Sequence, residues 1–389
     1  MPPSRRSPGR AQCLRPRSAS RSLTGMPALL MAQPPVARRG PYSPAMTSLA
    51  RVSLAVDSPH RRADGITHDS SSSAPHAPRP SFSWSFSRAA LLDRCERLYY
   101  EHYYGSHCGW AADASSDTRL AFRLKHLTSP NAELGRAVHR RASEIAIAIR
   151  AGAPLPTAAA LRAKTYSELE SVIMRGPNDP VWRANPRRAP LLHEVFYGGM
   201  SFTRRRALLA EISARATALQ AALLASPVWH AASIPGAAIL FIDEPILVSL
   251  NGMSTIATPD LVLHLPNYRM IVIDWKTGAT GDLSQVILYA HAVQTALGQG
   301  FAPIRCEAWL VHLDRATLEA ATVTSAKVEA ALAAQGASAA RMHDLLDDPT
   351  HNVSRPRAAF RQATDPNQTC RRCKMLALCS QEFVSAEAA

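Results

Sequence analysis

Pro259-Asp260-Leu261-Val262-Leu263-His264-Leu265-Pro266-Asn267-Tyr268-Arg269-Met270-Ile271-Val272-Ile273-Asp274-Trp275-Lys276 is the stretch that decides the fold. Two apolar, β-branched runs flank a turn signal at Pro266-Asn267, which reads as a hairpin. Side chains two apart on a strand share a face, so Asp274 and Lys276 project together while Trp275 faces the other way. The turn folds the preceding strand back alongside, which brings Asp260 next to Asp274. Two carboxylates and an ammonium then converge. Like charges at that spacing are costly unless a cation shares them, and hard Mg²⁺ or Mn²⁺ prefers such oxygen ligands. With a phosphate ester at that ion, a bound water becomes a nucleophile and Lys276 stabilises the developing charge, which is the chemistry of phosphodiester hydrolysis. The alternative is an ordinary hairpin whose Asp and Lys form a weak exposed pair.

Working outward, Ile239–Leu250, Thr255–Leu265 and Arg269–Lys276 read as a three-strand meander with turns at Asn251-Gly252 and Pro266-Asn267. Leu283–Leu297 reads as a helix, Arg305–Leu313 as a strand and Arg315–Leu346 as mostly helix. Upstream lie helices over Ser87–Tyr104 and Asn131–Arg150, the second with an Asn cap, and Ala/Leu-rich helices over 157–176 and 201–226 joined by a Pro-rich loop. Helices followed by strands, a helix and a further strand make an α/β fold.

With Pro259-Asp260 and Asp274-Trp275-Lys276 on adjacent strands, the sequence resembles the PD-(D/E)XK nuclease superfamily, and within it the RecB-like branch of helicase-associated and CRISPR-adaptation nucleases. The resemblance spans about three quarters of the chain, from Ser87 to Cys379. It implies a restriction-endonuclease-like core with a mixed central sheet flanked by helices, a helical insertion over 140–235, and DNA as substrate, either single-stranded or at duplex ends. Gly135-Arg136-Ala137-Val138-His139 resembles the family's upstream helix motif, which implies that His139 is a further metal ligand beside Asp260 and Asp274. The main-chain carbonyl of Trp275 is an additional implied ligand. Gln285 to Tyr289 resembles the motif that opens the helix after the lysine strand; at i and i+4 both side chains share one helical face and can position substrate. Glu244 corresponds to a supporting acidic position.

Cys370, Cys373 and Cys379 are one ligand short of a closed tetrahedral set. The RecB-like subset with an iron-sulfur cluster takes its fourth cysteine from the first helix, where Cys95 stands in Asp93-Arg94-Cys95-Glu96-Arg97-Leu98. The implied 4Fe-4S cluster joins the two ends of the domain through a segment at 366–383 and is structural. Zinc on the same four sulfurs is the alternative. Cys13, Cys108 and Cys306 are expected outside this set, Cys306 as a small core residue.

The whole chain of 389 residues carries a formal charge of +14 with a mean hydropathy of -0.10, which excludes a wholly disordered chain and points to a polyanionic partner. Much of the charge is local: residues 1–80 hold twelve arginines, no lysine, three acids and 13 of the 29 prolines. That segment reads as a disordered tail, with the nuclease domain at 81–389. The tail is open to three readings: an over-long start upstream of Met26, Met31 or Met46, a transit peptide, or a basic arm. The best apolar run, Ala237–Leu250, is interrupted by Asp243 and Glu244 and falls short of the roughly 18 residues of a membrane span. We therefore expect no membrane partner and a reducing, cytoplasmic location.

Ile239-Leu240-Phe241-Ile242-Asp243-Glu244 imitates the acidic strand of an ATPase, but the chain has no Gly-Lys dipeptide and hence no phosphate loop. Any motor would be a separate helicase or recombination partner. Arg204-Arg205-Arg206 reads as a solvated helix face or the wall of a DNA path. The rival function is a catalytically silent nucleic-acid-binding scaffold or adaptor in a helicase, recombination or CRISPR adaptation complex.

Overall fold

A computed structural model describes residues 79–298, 303, 305–363 and 369–379. The expected tail, apart from its last two residues, and Cys13 lie outside the described residues, as do parts of the expected 366–383 segment. Nine strands are assigned among the described residues: β1 (Ala238–Ile242), β2 (Ile246–Leu250), β3 (Met253–Ala257), β4 (Leu261–Leu265), β5 (Arg269–Lys276), β6 (Arg305–His312), β7 (Thr317–Thr322), β8 (Leu346–Asp348) and β9 (Val353–Ser354). The helices are α1 (Phe86–Arg94), α2 (Glu96–Tyr100), α3 (Ser116–Lys125), α4 (Pro130–Ala151), α5 (Ala158–Ile173), α6 (Pro180–Ala184), α7 (His193–Gly198), α8 (Phe202–Leu224), α9 (Pro227–Ala232), α10 (Leu283–Leu297) and α11 (Ser325–His343), with a π-helical turn at Glu101–Gly105.

The central sheet has the order β1-β4-β5-β6-β7. β1, β4 and β5 are antiparallel neighbours, β5 and β6 are parallel, and β7 returns antiparallel to β6. A parallel pair needs a crossover, and α10 supplies it. The sheet is therefore mixed and flanked by helices, as expected.

β5 is buried on both faces, which is why it reads as a nearly continuous apolar run. Its alternation divides the core. Ile271, Ile273 and Trp275 join Leu261, Leu263 and Leu265 against the helical layer of α4, α5 and α8. Met270 and Val272 join Val262, Ala308 and Leu310 under α10 and α11. Asp274 and Lys276 continue this second row, so the charged pair lies on the α10 side at the end of β5 where the apolar packing stops.

The three-strand meander is corrected in one respect. Its first two expected strands are each broken, at Asp243-Glu244-Pro245 and at Thr258-Pro259-Asp260, so five short strands stand in place of three. Asp243 takes a left-handed φ of 50°, and Pro245 and Pro259 lack the N–H a ladder requires. β2 and β3, joined by Asn251-Gly252 with φ of 49° and 74°, leave the main sheet as a separate ribbon that packs on α10. Other differences are local. β7 is an exposed edge strand, Thr-Leu-Glu-Ala-Ala-Thr, whose lack of apolar alternation hid it inside the expected 315–346 helix. α4 is capped by Ser129, whose hydroxyl accepts the Ala132 N–H at 3.2 Å, with Pro130 in the first turn, so Asn131 is already helical. The expected helix over Ser87–Tyr104 is interrupted at Cys95, which is extended with φ -173° and ψ 125°.

Ala237–Leu250, the apolar run singled out from sequence, consists mainly of two strands. Among the described residues, the stretch long and apolar enough to cross a membrane by length and composition is Phe202–Ala232. It comprises α8 and α9, and its buried side, with Leu209, Ile212, Leu219 and Leu223, belongs to the helical layer on α4 and α5.

At the seam between layer and sheet, Trp275 stacks on Trp229 of α9, ring centroids 5.5 Å apart. Trp275 is among the largest fully buried side chains. Trp275→Ala is expected to destabilise the protein by about 3–5 kcal/mol, through lost burial and an unfilled cavity. Denaturant unfolding checks this; a midpoint unchanged from wild type would contradict it.

Candidate active site

Asp260 follows Pro259, where the β4–β5 ladder stops. Beyond the Leu261–Ile273 pair the backbone turns away, and the carboxylate of Asp260 takes over the role of ladder acceptor: Oδ2 accepts the Trp275 N–H at 2.7 Å. Oδ1 lies 3.0 Å from Nδ1 of His139, on the face of α4 turned to the strand ends. Asp260 is thus held from both sides by groups that fix its rotamer.

Asp274 is 5% exposed. Its Oδ2 lies 2.7 Å from Nζ of Lys276, as the two-residue spacing requires, but off the direction of a hydrogen bond, so this buried oxygen has no aligned donor. Burial, and then the charge of Asp260, push its carboxyl up to about 6 against the opposing pull of Lys276 and His139. Burial disfavours the protonated His139 ring, but Asp260 by charge and hydrogen bond, with Asp274 behind it, outweighs this and raises its pKa.

α10 begins with the side chain of Asp282 accepting the Ser284 N–H, which aims its first turn at the strand ends. Gln285 Oε1 accepts from Nζ of Lys276 at 3.3 Å, and its amide donates to the Tyr289 hydroxyl at 2.7 Å. Burial pushes the Tyr289 phenol up to about 12, so it stays neutral. The ammonium therefore lies between Asp274 and an amide that is itself held one helical turn further along.

The geometry brings together Asp260, Asp274, Lys276, His139, Gln285 and Tyr289. It does not bring Glu244: that side chain is half exposed and lies 3.6 Å from Arg150 on α4. Its neighbour Asp243, also at the surface, stands closer to Asp260 and is tied to it through the backbone. The Asp243 N–H donates to the Asp260 carbonyl at 3.0 Å, and burial, then the charge of Asp260, raise its pKa. The sequence reading named Glu244 alone, and the left-handed turn at Asp243 carries no pattern that would have drawn attention to its neighbour. Gly281 was also missed. A Cβ there would come within 2.7 Å of Leu310, 3.1 Å of His312 and 3.2 Å of Lys276, so the absent side chain lets the loop close over the lysine. Gly135 has a similar reason, since a Cβ would stand 3.1 Å from the Thr277 hydroxyl just past Lys276.

Among the described residues no three His, Cys, Asp or Glu side chains are arranged as a ready metal site. The Asp260 carboxylate is bonded to the Trp275 N–H and to His139, and Asp274 stands against Lys276. The donor set of two carboxylates and an imidazole, with an unaligned buried oxygen on Asp274, nevertheless fits a hard divalent cation.

Cys95, Cys370, Cys373 and Cys379 line a single cavity with Leu98, Met375 and Leu376. None of the described cysteines is in a disulfide. Burial raises the Cys373 thiol, with Cys95 and Cys370 adding to it, and pushes Cys379 up to about 12 with Cys373 adding. Arg94, which donates to the Arg372 carbonyl at 3.2 Å, stands beside this cavity. The extended break at Cys95 is what removes it from a continuous helix. Cys306 is buried on β6, and Cys108 is buried in the turn after the π-helix.

Over residues 83–380 the sequence matches the family model of the PD-(D/E)XK nuclease superfamily. No curated protein matches the chain.

The raised Asp274 pKa has a consequence for stability. A carboxyl that binds its proton more tightly when folded stabilises the protein fully below its unfolded pKa of about 4, and loses that contribution as pH rises through about 6. Two pKa units correspond to roughly 2–3 kcal/mol. In a chelator, Asp274→Asn is therefore expected to gain stability relative to wild type as pH rises from about 4 to about 6.5, and to hold that gain above it. Thermal melts of both proteins measure the difference, and a wild-type advantage that grows with pH would refute it.

Proposed function

The chain belongs to the PD-(D/E)XK nuclease superfamily, and from that premise we propose that it is a metal-dependent deoxyribonuclease of the RecB-like type that processes DNA ends as an exonuclease in repair or recombination. The observation that supports this most is the meeting of Asp260, Asp274 and Lys276 at the end of β5, with a buried Asp274 oxygen lacking an aligned donor. Members of the superfamily use divalent metals such as Mg²⁺ and Mn²⁺. Asp260, Asp274 and His139, with the Trp275 carbonyl, would hold that ion, which supplies a lowered water pKa and charge neutralisation at the phosphate.

The remaining roles belong to the chain itself. Lys276 carries the positive charge that stabilises the extra negative charge of the pentacovalent phosphorus, and its short tether to Gln285 keeps it there without a reorganisation step. Gln285 and Tyr289 offer an amide and a neutral hydroxyl to substrate oxygens on the same side. Trp275 and the apolar layer beneath it keep water from the back of the site. Glu244, at the surface, acts at most on Arg150.

The four convergent cysteines suit a 4Fe-4S cluster, since a soft all-sulfur donor set with neighbouring arginines fits a cluster of net negative charge. Zinc is the second possibility for the same sulfurs. The cluster would be structural, and its loading would add directly to stability. A separate helicase or recombination protein would supply the unwinding that this chain has no phosphate loop to drive.

The test compares wild type with Asp274→Ala and Lys276→Ala on labelled single-stranded and duplex DNA in Mg²⁺ and in Mn²⁺. Cleavage is expected to fall on the order of 10²–10³-fold for Lys276→Ala, and further for Asp274→Ala, while DNA binding persists. Wild type that binds DNA without cutting it would favour the scaffold reading. For the cluster, anaerobic purification with iron and sulfide analysis is expected to give about four of each in wild type and a loss of both in Cys373→Ala. A colourless, zinc-loaded wild type would overturn the iron-sulfur assignment.

A further inference from the structure

Trp110 is 62% exposed, the most exposed tryptophan in the described residues, on the turn that follows the π-helix. The turn is built to present it. Cys108 takes a left-handed φ of 60°, and Gly109 packs so tightly on α3 that a Cβ would stand 2.4 Å from Phe122 and 2.5 Å from the Thr118 carbonyl. Trp110 lies edge-on to Phe122 with centroids 5.5 Å apart, and Phe122 lies edge-on to His126, which caps the C-terminal end of α3, at 4.9 Å. The three rings form a continuous row that ends beside a group of cations.

Those cations are Lys125, Lys374 and Arg187. Lys374 donates to the Lys125 carbonyl at 3.1 Å, and the Lys125 ammonium stands 5.8 Å from the Tyr103 ring centroid. Among the described residues no carboxylate pairs with Lys125, Lys374 or Arg187, and the charges felt by Lys125 and His126 are all positive. Burial, and then Lys374 and Arg187, hold the Lys125 ammonium down to about 8, which an anion at that position would reverse. Asp117, the nearest acid on α3, is at the opposite end of that helix. The cationic group also borders the catalytic helix: Lys374 feels Arg136, which is itself paired with Glu133 and stands three residues before His139 on α4, about 4.5 Å along the axis.

An exposed flat ring leading to crowded, acid-free ammonium and guanidinium groups is complementary to a nucleic-acid strand whose bases are free to stack. We propose that Trp110 is a stacking platform for an unpaired base and that Lys125, Lys374 and Arg187 hold the phosphates of the same single strand, which then runs along α4 to His139. This rests on the nuclease reading and narrows its substrate to DNA with a single-stranded end. A duplex keeps its bases stacked on each other and cannot use the ring.

The test measures anisotropy of a fluorescein-labelled oligo(dT) and of a blunt duplex of equal length with the full chain in a chelator. Trp110→Ala is expected to weaken oligo(dT) binding about tenfold and to leave the blunt duplex within about twofold. Trp110→Phe, which keeps a ring, is expected to restore most of the loss. Lys125→Gln combined with Arg187→Gln is expected to reduce the salt slope of oligo(dT) binding by roughly one to two units. Unchanged oligo(dT) binding in these variants would overturn the proposal, as would an equal loss on the blunt duplex. Wild type that binds oligo(dT) through Trp110 but cleaves nothing would support the track while sinking the nuclease reading, so the two fail separately.

Discussion

The hydrogen bond from the Trp275 N–H to the Asp260 carboxylate is the contact on which the arrangement turns. β4 begins only at Leu261, and beyond it the Asp260 side chain supplies the acceptor that the backbone no longer offers to Trp275. That substitution places a carboxylate at the strand end, aimed along the sheet edge, and the alternation of β5 sets a second carboxylate and an ammonium beside it. The apolar rows beneath hold the strand rigid, so charges that repel remain in register. Asp274 is accordingly a group kept where it is destabilising, which is how a site built for chemistry differs from one built for stability.

The helix α10 connects this site to the fold in two ways. As the crossover between the parallel strands β5 and β6 it is obligatory for the sheet, and its first turn presents Gln285 and Tyr289 to Lys276. The peptide at Gly281 lies against Leu310 and His312 of β6, so the close approach that lets the crossover begin is the same one that confines the lysine. Fold and site share these atoms.

Legibility in the sequence followed the physics of each element. β5 and the hairpin at Pro266-Asn267 were readable because a turn signal separates two β-branched apolar runs, and α10 was readable to its last residue because a long apolar helix sits between clear breaks. The pairing of Asp274 with Lys276 followed from side-chain geometry alone. That Asp243 and not Glu244 lies near Asp260 was not readable, because the chain passes there through a positive φ that sequence pattern does not record. β7 was hidden because an exposed edge strand has no core face to pattern it. Cys95 was expected inside a continuous helix; it is extended instead, and the residues that follow it are tied to distant ones, which propensity does not record.

Those ties have a topological consequence. Arg361 bonds Glu96 at 2.6 Å, Arg97 donates to the Phe360 carbonyl at 3.2 Å and Arg357 meets Glu101 at 2.5 Å, each joining residues more than 250 positions apart. The first helices and the last turns of the domain are thereby sewn to each other, with four sulfurs at the same seam. A loop of that length is closed at a large entropic cost that its contacts must offset together. Neither extremity is left free to fray, so unravelling has to open the seam as a unit.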